Sequence, residues 1–348
     1  MLDISAVLVL LLGLIVILIS CEIFTNGIEW LGVRLGLAET ATGSVLAAVG
    51  TAMPETIVPL IAIFLGGKLQ GAEVGVGAIL GAPFMLGTLA MFIGGVTLYY
   101  RHKHGNREPH LVVRRDHAER DMKHFMAMYT LALVAALLGI LKLFNHGPVN
   151  FFIAIVLLVA YVFYLRRTLS DERTEKENTC PPLYMCRAFG FDAEKGRLGF
   201  FLILLQVLGA LIGIIIGARI FVSEVETVAI QVGLPTMILA FLIAPIATEL
   251  PEKFNSVLWY LRGKDTLGFG NITGAMVFQS SIPVSIGLLF TDWAIKPINV
   301  ASIVIALAAS AWMFFSIRQK GGITYKVMLA SGSLYILYIV LLLVFGTG

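Results

Sequence analysis

The chain has 348 residues, of which 58% are hydrophobic and only 14% are charged, and its mean hydropathy is +0.90. Because soluble domains carry about 25% charged residues, this composition excludes an ordinary cytosolic protein and indicates that long apolar segments lie in lipid. The net charge of +3 is spread over short loops, which argues against a nucleic-acid partner, and three cysteines are too few for a disulfide framework.

Apolar stretches long enough to cross about 30 Å of hydrocarbon follow one another along the chain. In the first half they fall at residues 5–25, 40–66, 73–99, 124–144 and 149–165. After a polar segment they resume at residues 199–222, 228–259, 267–291, 294–316 and 325–346. The predicted fold class is therefore an all-α membrane protein with ten transmembrane helices.

Lysine and arginine concentrate in two of the predicted loops, and this sets the expected orientation. Seven lie within residues 100–123 and seven within 166–198. Because basic loops stay on the cytoplasmic side, we expect both loops to be cytoplasmic and both termini to face outward, in a plasma membrane. The segment 166–198 is the predicted linker between two units, residues 1–165 and 199–348.

The two halves share an internal repeat. Thr-Ala-Met-Pro-Glu at residues 51–55 returns as Thr-Glu-Leu-Pro-Glu at 248–252, and Gly-Ala-Ile-Leu-Gly-Ala at 77–82 returns as Gly-Asn-Ile-Thr-Gly-Ala at 270–275. Each half has five predicted spans, an odd number, so the second copy enters the membrane inverted. Inverted repeats in transporters place the binding site near the bilayer midplane, where the copies meet.

At these motifs the sequence resembles the cation/calcium exchanger superfamily, and within it the sodium/calcium exchanger branch. Each repeat of that family carries a Gly-Thr-Ser-x-Pro-Glu helix, followed by a Gly-Asn-x-x-Gly-Ser helix that ends in Asn or Asp. The resemblance implies alternating-access antiport of calcium against sodium, or against protons in some branches. It carries a site role over to Thr51, Glu55, Thr248 and Glu252, and Gln279 stands where the second repeat has Asn or Asp.

Several positions depart from the family pattern. Ala52, Ala82, Ala275 and Leu86 remove side-chain oxygens, whereas Glu249 adds a carboxylate in place of a serine. Fewer neutral oxygens leave room for fewer Na⁺ ions. We hypothesise that protons contribute to exchange, with Glu249 as their carrier because two neighbouring carboxylates repel each other; the alternative is that Glu249 points away from the site.

The candidate ligands follow from intramembrane chemistry as well. A charged carboxylate at a helix centre costs roughly 2.5–3.5 kcal/mol, so the three glutamates need compensation. We expect no basic side chain near the motifs, and therefore a bound cation or protons in that role. Hard oxygen ligands suit Ca²⁺ best, with Mg²⁺ or Mn²⁺ less suitable. The predicted metal ligands are Glu55, Glu252, Glu249, Thr51, Thr248 and Gln279, and Gln279 is equally consistent with an interhelical hydrogen bond.

Two other functions remain open at this point. A passive cation channel could use the same carboxylates, although two inverted copies in one chain favour exchange. An intramembrane metal-dependent hydrolase fares worse, because the sequence contains no HExxH motif. We predict a transporter and not an enzyme, with the lipid bilayer and the transported cations as its partners, and no cofactor beyond those ions.

Overall fold

The computed structural model of the protein describes residues 4–52, 56, 59, 63–64, 70–105, 107–141, 146–171, 180–189, 196–231, 249–293, 295, 297–320 and 322–345. The helices of the first half are α1 (Ile4–Arg34), α2 (Glu39–Ala41), α3 (Ala48–Thr51), α4 (Gln70–Met85), α5 (Met91–Lys103), α6 (Arg115–Leu141) and α7 (His146–Leu169). Those that follow are α8 (Tyr184–Phe189), α9 (Gly196–Gln231), α10 (Leu250–Leu261), α11 (Asp265–Gln279), α12 (Ile282–Phe290), α13 (Pro297–Lys320) and α14 (Tyr325–Phe345).

The described residues also contain two π-helical turns and one short pair of strands. The turns Thr42–Ala47 and Leu86–Ala90 join α2 to α3 and α4 to α5, so each pair forms one continuous rod. The strands β1 (His110–Leu111) and β2 (Ile323–Thr324) pair antiparallel and connect the loop after α5 to the start of α14.

Eight helical segments among the described residues are long and apolar enough to cross a membrane. They correspond to eight of the ten predicted spans, so the chain is an integral multi-pass membrane protein. The other two predicted spans, 40–66 and 228–259, carry the Thr…Pro-Glu motifs and lie only partly within the described residues. The count of ten helices and the inverted repeat therefore remain predictions.

Several helices extend beyond the hydropathic stretches from which they were predicted. The helix α1 has 31 residues and α9 has 36, which correspond to about 46 Å and 54 Å, longer than the hydrocarbon core. Likewise, α6 begins at Arg115, not at residue 124 as predicted. Backbone hydrogen bonding sets the end of a helix, whereas hydropathy marks only the part of it that lies in lipid.

The two longest helices pack against each other in antiparallel fashion. Gln206 of α9 donates a hydrogen bond to the side chain of Asn26 in α1 at 2.9 Å, and Gly213 of α9 faces Ser20 of α1. A Cβ atom at Gly213 would overlap the Ser20 hydroxyl, so glycine is what allows the close approach. This pair has its own apolar core, which includes Ile17 and Phe24 of α1 and Ile203 and Ile214 of α9.

The remaining long helices share a larger core and expose apolar faces outward. On α7, Phe152 is 69% exposed, Val159 63% and Phe163 59%, and their spacing places them on one face. Such a face suits contact with lipid rather than water.

A close helix crossing positions the candidate site. Gly274 of α11 lies so near the backbone of Ser44, in the first π-helical turn, that an added Cβ would overlap the Ser44 carbonyl oxygen. A rod from the first half of the chain and a helix from the second half therefore touch without a side chain between them. Thr51 lies further along this rod, and Asn271 lies one turn before Gly274 on α11.

Candidate cation site

The second Thr…Pro-Glu motif forms the start of α10. Pro251 lies in the first turn, where its missing N–H group is not needed, and Glu252 follows it. The N-terminus of a helix carries a partial positive charge, which favours a carboxylate at this position. Glu252 is completely buried, and neither of its carboxylate oxygens has a hydrogen-bond partner among the described residues. A buried carboxylate in this state calls for a cation or a proton.

The first motif supplies Thr51, at the end of α3. Its hydroxyl donates to the carbonyl of Ala47 at 3.1 Å and lies 3.5 Å from the Oδ1 atom of Asn271. The Nδ2 atom of Asn271 in turn donates to the Glu252 carbonyl and to the Ser256 hydroxyl, each at 3.1 Å. Asn271 thus links the predicted residue Thr51 to the predicted residue Glu252, across the two halves of the chain.

Glu249 has a basic partner. The Lys253 ammonium lies 2.9 Å from the Oε2 atom of Glu249, and the two side chains are 2% and 1% exposed. The expectation that no basic side chain lies near the motifs is therefore wrong. It overlooked that Lys253, one helical turn after Glu249, shares its face of α10. The other carboxylate oxygen of Glu249 has no hydrogen-bond partner in the described part of the chain.

Two buried amides extend the set of polar side chains. Asn255 lies one turn after Glu252 on α10 and is fully buried, while Gln279 ends α11 and is 2% exposed. Neither amide has a hydrogen-bond partner within the described residues. Gln279 is eight residues from Asn271, or about 12 Å along the helix axis. The structure therefore places Gln279 at a separate level of the same helix.

Two predicted ligands, Glu55 and Thr248, lie outside the described residues, and their placement stays a prediction. Sequence reasoning also missed residues that the structure brings to the site. Asn271 was quoted only as part of a motif, and Asn255 was not singled out. A helical projection from Glu252 could have found Asn255, because residues three apart lie on one face.

A second buried carboxylate, Asp121 on α6, braces the crossing that carries the site. The hydroxyl groups of Ser44 and Thr273 each donate to its Oδ2 atom at 2.8 Å, and the Tyr164 hydroxyl donates to Oδ1 at 3.1 Å. The Nε atom of Arg120 lies 3.8 Å from Oδ1. Sequence reasoning had assigned Asp121 to a loop. The helical spacing of the buried apolar residues Ala118, Met122, Phe125 and Tyr129 was the signal that α6 begins earlier.

Ion pairs attach α1 to the turn between α10 and α11. Glu29 of α1 accepts hydrogen bonds from the Trp259 indole at 2.9 Å and from Lys264. Arg262 forms an ion pair with Glu22, also on α1. The long helix pair is therefore connected to the helix that carries Glu252 by charged contacts near one end.

Chemically, the site offers carboxylate, hydroxyl, amide and backbone carbonyl oxygens in a buried setting. Oxygen ligands of this kind select hard cations such as Ca²⁺, Mg²⁺ and Na⁺ rather than copper or zinc. Across the described ranges, no group of three or more His, Cys, Asp or Glu side chains is placed to hold a metal ion. The candidate site therefore combines few carboxylates with neutral oxygens.

The membrane fold and the buried oxygen-rich site define the protein as a membrane transporter. The model of the family described as sodium/calcium exchanger protein matches residues 5–169 and 202–344. The chain belongs to this family, within the cation/calcium exchanger superfamily, and it is a cation antiporter and not an enzyme.

Relatives and solved structures agree with this membership. The chain is 22% identical to an uncharacterized membrane protein of Methanocaldococcus jannaschii, over 85% of each chain. It is 23% identical to CaxA of Alkalimonas amylolytica, which is named as an antiporter, over 90% of each. The fold matches that of the sodium-calcium exchanger NCX_Mj soaked with 10 mM Na⁺ and zero Ca²⁺, with a TM-score of 0.70 and 20% identity over 97% of this chain and 98% of that one. The fold also matches the structure of NCX_Mj soaked with zero Na⁺ and Ca²⁺. That match has a TM-score of 0.71 and 19% identity, and it covers 97% of this chain and 99% of that one.

Proposed function

We propose that the protein is a secondary-active antiporter that exchanges a divalent cation, with Ca²⁺ favoured, for Na⁺ and/or H⁺ by alternating access. The proposed site lies near the bilayer midplane and uses Glu252 and Glu55 as its principal carboxylates. Thr51, Thr248 and Gln279 are proposed as neutral ligands, and Glu249 as a further carboxylate. Family membership supports antiport, and the oxygen chemistry supports a hard divalent cation.

One observation carries this proposal. Glu252 presents two buried carboxylate oxygens that receive no hydrogen bond of normal geometry from the described residues, and Asn271 ties the Glu252 backbone carbonyl to Thr51 of the other half. A permanently buried charge of this kind is costly unless a cation or proton compensates it. A transported cation supplies that compensation and can also leave, as exchange requires.

We propose Na⁺ as the first counter-ion to test, because the matching family is described as a sodium/calcium exchanger family. The hypothesis of a proton carrier at Glu249 relied on repulsion between Glu249 and Glu252. The Lys253 ammonium at 2.9 Å offsets part of that repulsion, so it weakens the argument for a proton at Glu249. The solved structures of similar fold are likewise those of a protein named as a sodium-calcium exchanger. Protons remain the alternative that the experiment must test.

Flux measurements on the full-length protein in liposomes test the function. We expect ⁴⁵Ca uptake into vesicles with an outward Na⁺ gradient and much less uptake with an outward proton gradient of equal size. The matched control is Glu252→Gln, which keeps the size of the side chain and removes its charge. A channel would dissipate a Ca²⁺ gradient without any ion on the opposite side, and that result would contradict antiport.

We further propose that the protein resides in the plasma membrane with both termini outside and the basic segments 100–123 and 166–198 in the cytoplasm. The fourteen Lys and Arg residues of these two segments support this orientation.

A further inference from the structure

The buried ion pair between Glu249 and Lys253 differs from an ordinary helix-surface pair. Glu119 and Lys123 on α6 have the same spacing, but the Lys123 side chain is 56% exposed, as a solvated pair allows. The side chain of Lys253 is 2% exposed. Its ammonium lies 2.9 Å from the Glu249 carboxylate and 3.4 Å from the Glu249 backbone carbonyl. The ammonium is therefore held by two oxygens of one residue, inside the protein.

The equivalent positions of the first repeat carry no charge. Aligning the motifs pairs Glu249 with Ala52 and Lys253 with Thr56. The Thr56 hydroxyl donates to the carbonyl of Ala52 at 2.8 Å, which matches the contact of the Lys253 ammonium with the Glu249 carbonyl. Relative to the first repeat, the second repeat therefore has both an additional acid, Glu249, and an additional base, Lys253. Their charges cancel, and Glu252 is left as the unpaired carboxylate of its motif.

We propose that Lys253 is a tethered cation that permanently occupies the position beside Glu249, where a mobile monovalent cation would otherwise bind. The inference rests on the proposed function, because it assigns Lys253 the role of setting how many counter-ions the site accepts. Lys253 is therefore a specificity-determining residue. With the ammonium in place, Glu249 attracts no additional Na⁺, and the divalent cation is left to Glu252 and the ligands around it.

The inference predicts the behaviour of three variants of the full-length protein. Lys253→Met removes the ammonium but keeps an apolar chain of similar length, so Glu249 should bind one Na⁺ in its place. Glu249→Gln/Lys253→Met removes both charges and should bind no more Na⁺ than the wild-type protein. Lys253→Arg keeps the positive charge and should also behave like the wild type.

Thermal unfolding in detergent counts the bound ions without requiring transport. A thiol-reactive dye reports unfolding through the buried cysteines Cys21 and Cys186. NaCl is raised against N-methyl-D-glucamine chloride at constant ionic strength. The slope of stability against the logarithm of Na⁺ concentration gives the number of Na⁺ ions bound on folding. We expect this slope to be steeper by about one ion in Lys253→Met alone.

Each result decides the question. An unchanged slope in Lys253→Met overturns the inference, and so does a Lys253→Met protein that stays unfolded at every Na⁺ concentration while the double variant folds, since Na⁺ then cannot replace the ammonium. If neither variant folds, the pair is purely structural and the inference is wrong. A failed proposed function gives a different signature, namely absence of Na⁺-driven ⁴⁵Ca uptake by the wild-type protein, and the Na⁺ slopes remain readable in that case.

Discussion

Replacing Asp121 with alanine removes an acceptor that three buried hydroxyl groups share. Ser44 and Thr273 each donate to it at 2.8 Å, and Tyr164 donates at 3.1 Å. Each buried donor left without an acceptor costs about 1–3 kcal/mol, so the three together predict that the Asp121→Ala protein loses about 3–9 kcal/mol in free energy of unfolding. The loss should exceed that of any single hydroxyl removal, because Asp121 is the point where the three bonds meet.

Matched variants separate this effect from general damage to α6. Tyr164→Phe removes one of the three bonds and should cost about 1–3 kcal/mol. Asp116→Ala removes an exposed carboxylate from the first turn of the same helix and should change stability by less than about 0.5 kcal/mol. Thermal unfolding with the thiol-reactive dye ranks the variants, and chemical denaturation gives the free energies.

The position of Asp121 makes a functional consequence testable as well. Ser44 lies on the rod that ends at Thr51, and Thr273 lies on α11, two residues after Asn271. Loss of the brace should therefore loosen the contact between Thr51 and Asn271 and reduce ⁴⁵Ca flux per folded protein. The reasoning is refuted if Asp121→Ala unfolds at the wild-type temperature, or if Asp116→Ala is destabilised equally.

Three further predictions address the site, the topology and pH dependence. Glu55→Gln and Glu252→Gln should each abolish ⁴⁵Ca transport while the protein remains folded in the membrane, and near wild-type flux in either would refute the site assignment. A single cysteine at Ser170 should resist an impermeant reagent added outside intact cells, since labelling would place the linker outside. Burial alone would raise the pKa of Asp171, but the hydrogen bonds and charge of Arg120 hold that pKa below its ordinary value. Asp171 should therefore add stability above about pH 4 and lose this contribution as the pH falls further, so that Asp171→Asn and the wild type converge in acid.

Hydropathy predicted the spans well, because the thickness of the hydrocarbon core sets the minimum length of an apolar run, and that length can be counted in the sequence. Eight of the ten predicted spans have counterparts among the described helices. Helix ends were predicted less well, and α6 is the clearest case. Its first nine residues are rich in charge, yet Arg120 and Asp121 are buried against other helices. The hydrogen bonds of Asp121 to other helices explain why charged residues form the first turns of α6 within the protein, and these contacts are not visible in the local sequence.

Some residues of the candidate site could be predicted from nearby sequence, whereas others are brought to it only by contacts between distant parts of the chain. Thr51 and Glu252 were assigned from the repeated motif and its resemblance to the exchanger family, and Glu249 from its departure from that motif. The link through Asn271 joins residues that are 220 apart in sequence, from Thr51 to Asn271, and no pattern within one helix predicts it. Lys253 is the opposite case, because its i,i+4 relation to Glu249 is visible in the sequence. The expectation that no basic side chain lies near the motifs took account of the carboxylates alone and placed the lysines in loops, so it did not include Lys253.

The two Thr…Pro-Glu motifs can be compared by their net formal charge. By sequence, the second motif contains one carboxylate more than the first, which suggested a different ion chemistry. Lys253 cancels that difference in formal charge, because its 2.9 Å pair with Glu249 leaves the second motif with one negative charge, the same number that the first motif has by sequence. Under the proposed function, two glutamates with one formal negative charge each, Glu252 and Glu55, would balance one divalent cation. Removing Lys253 alone leaves the Glu249 charge buried at a cost of about 3–5 kcal/mol unless another cation takes the place of the ammonium, so the charge that a divalent cation meets at this motif depends on both residues.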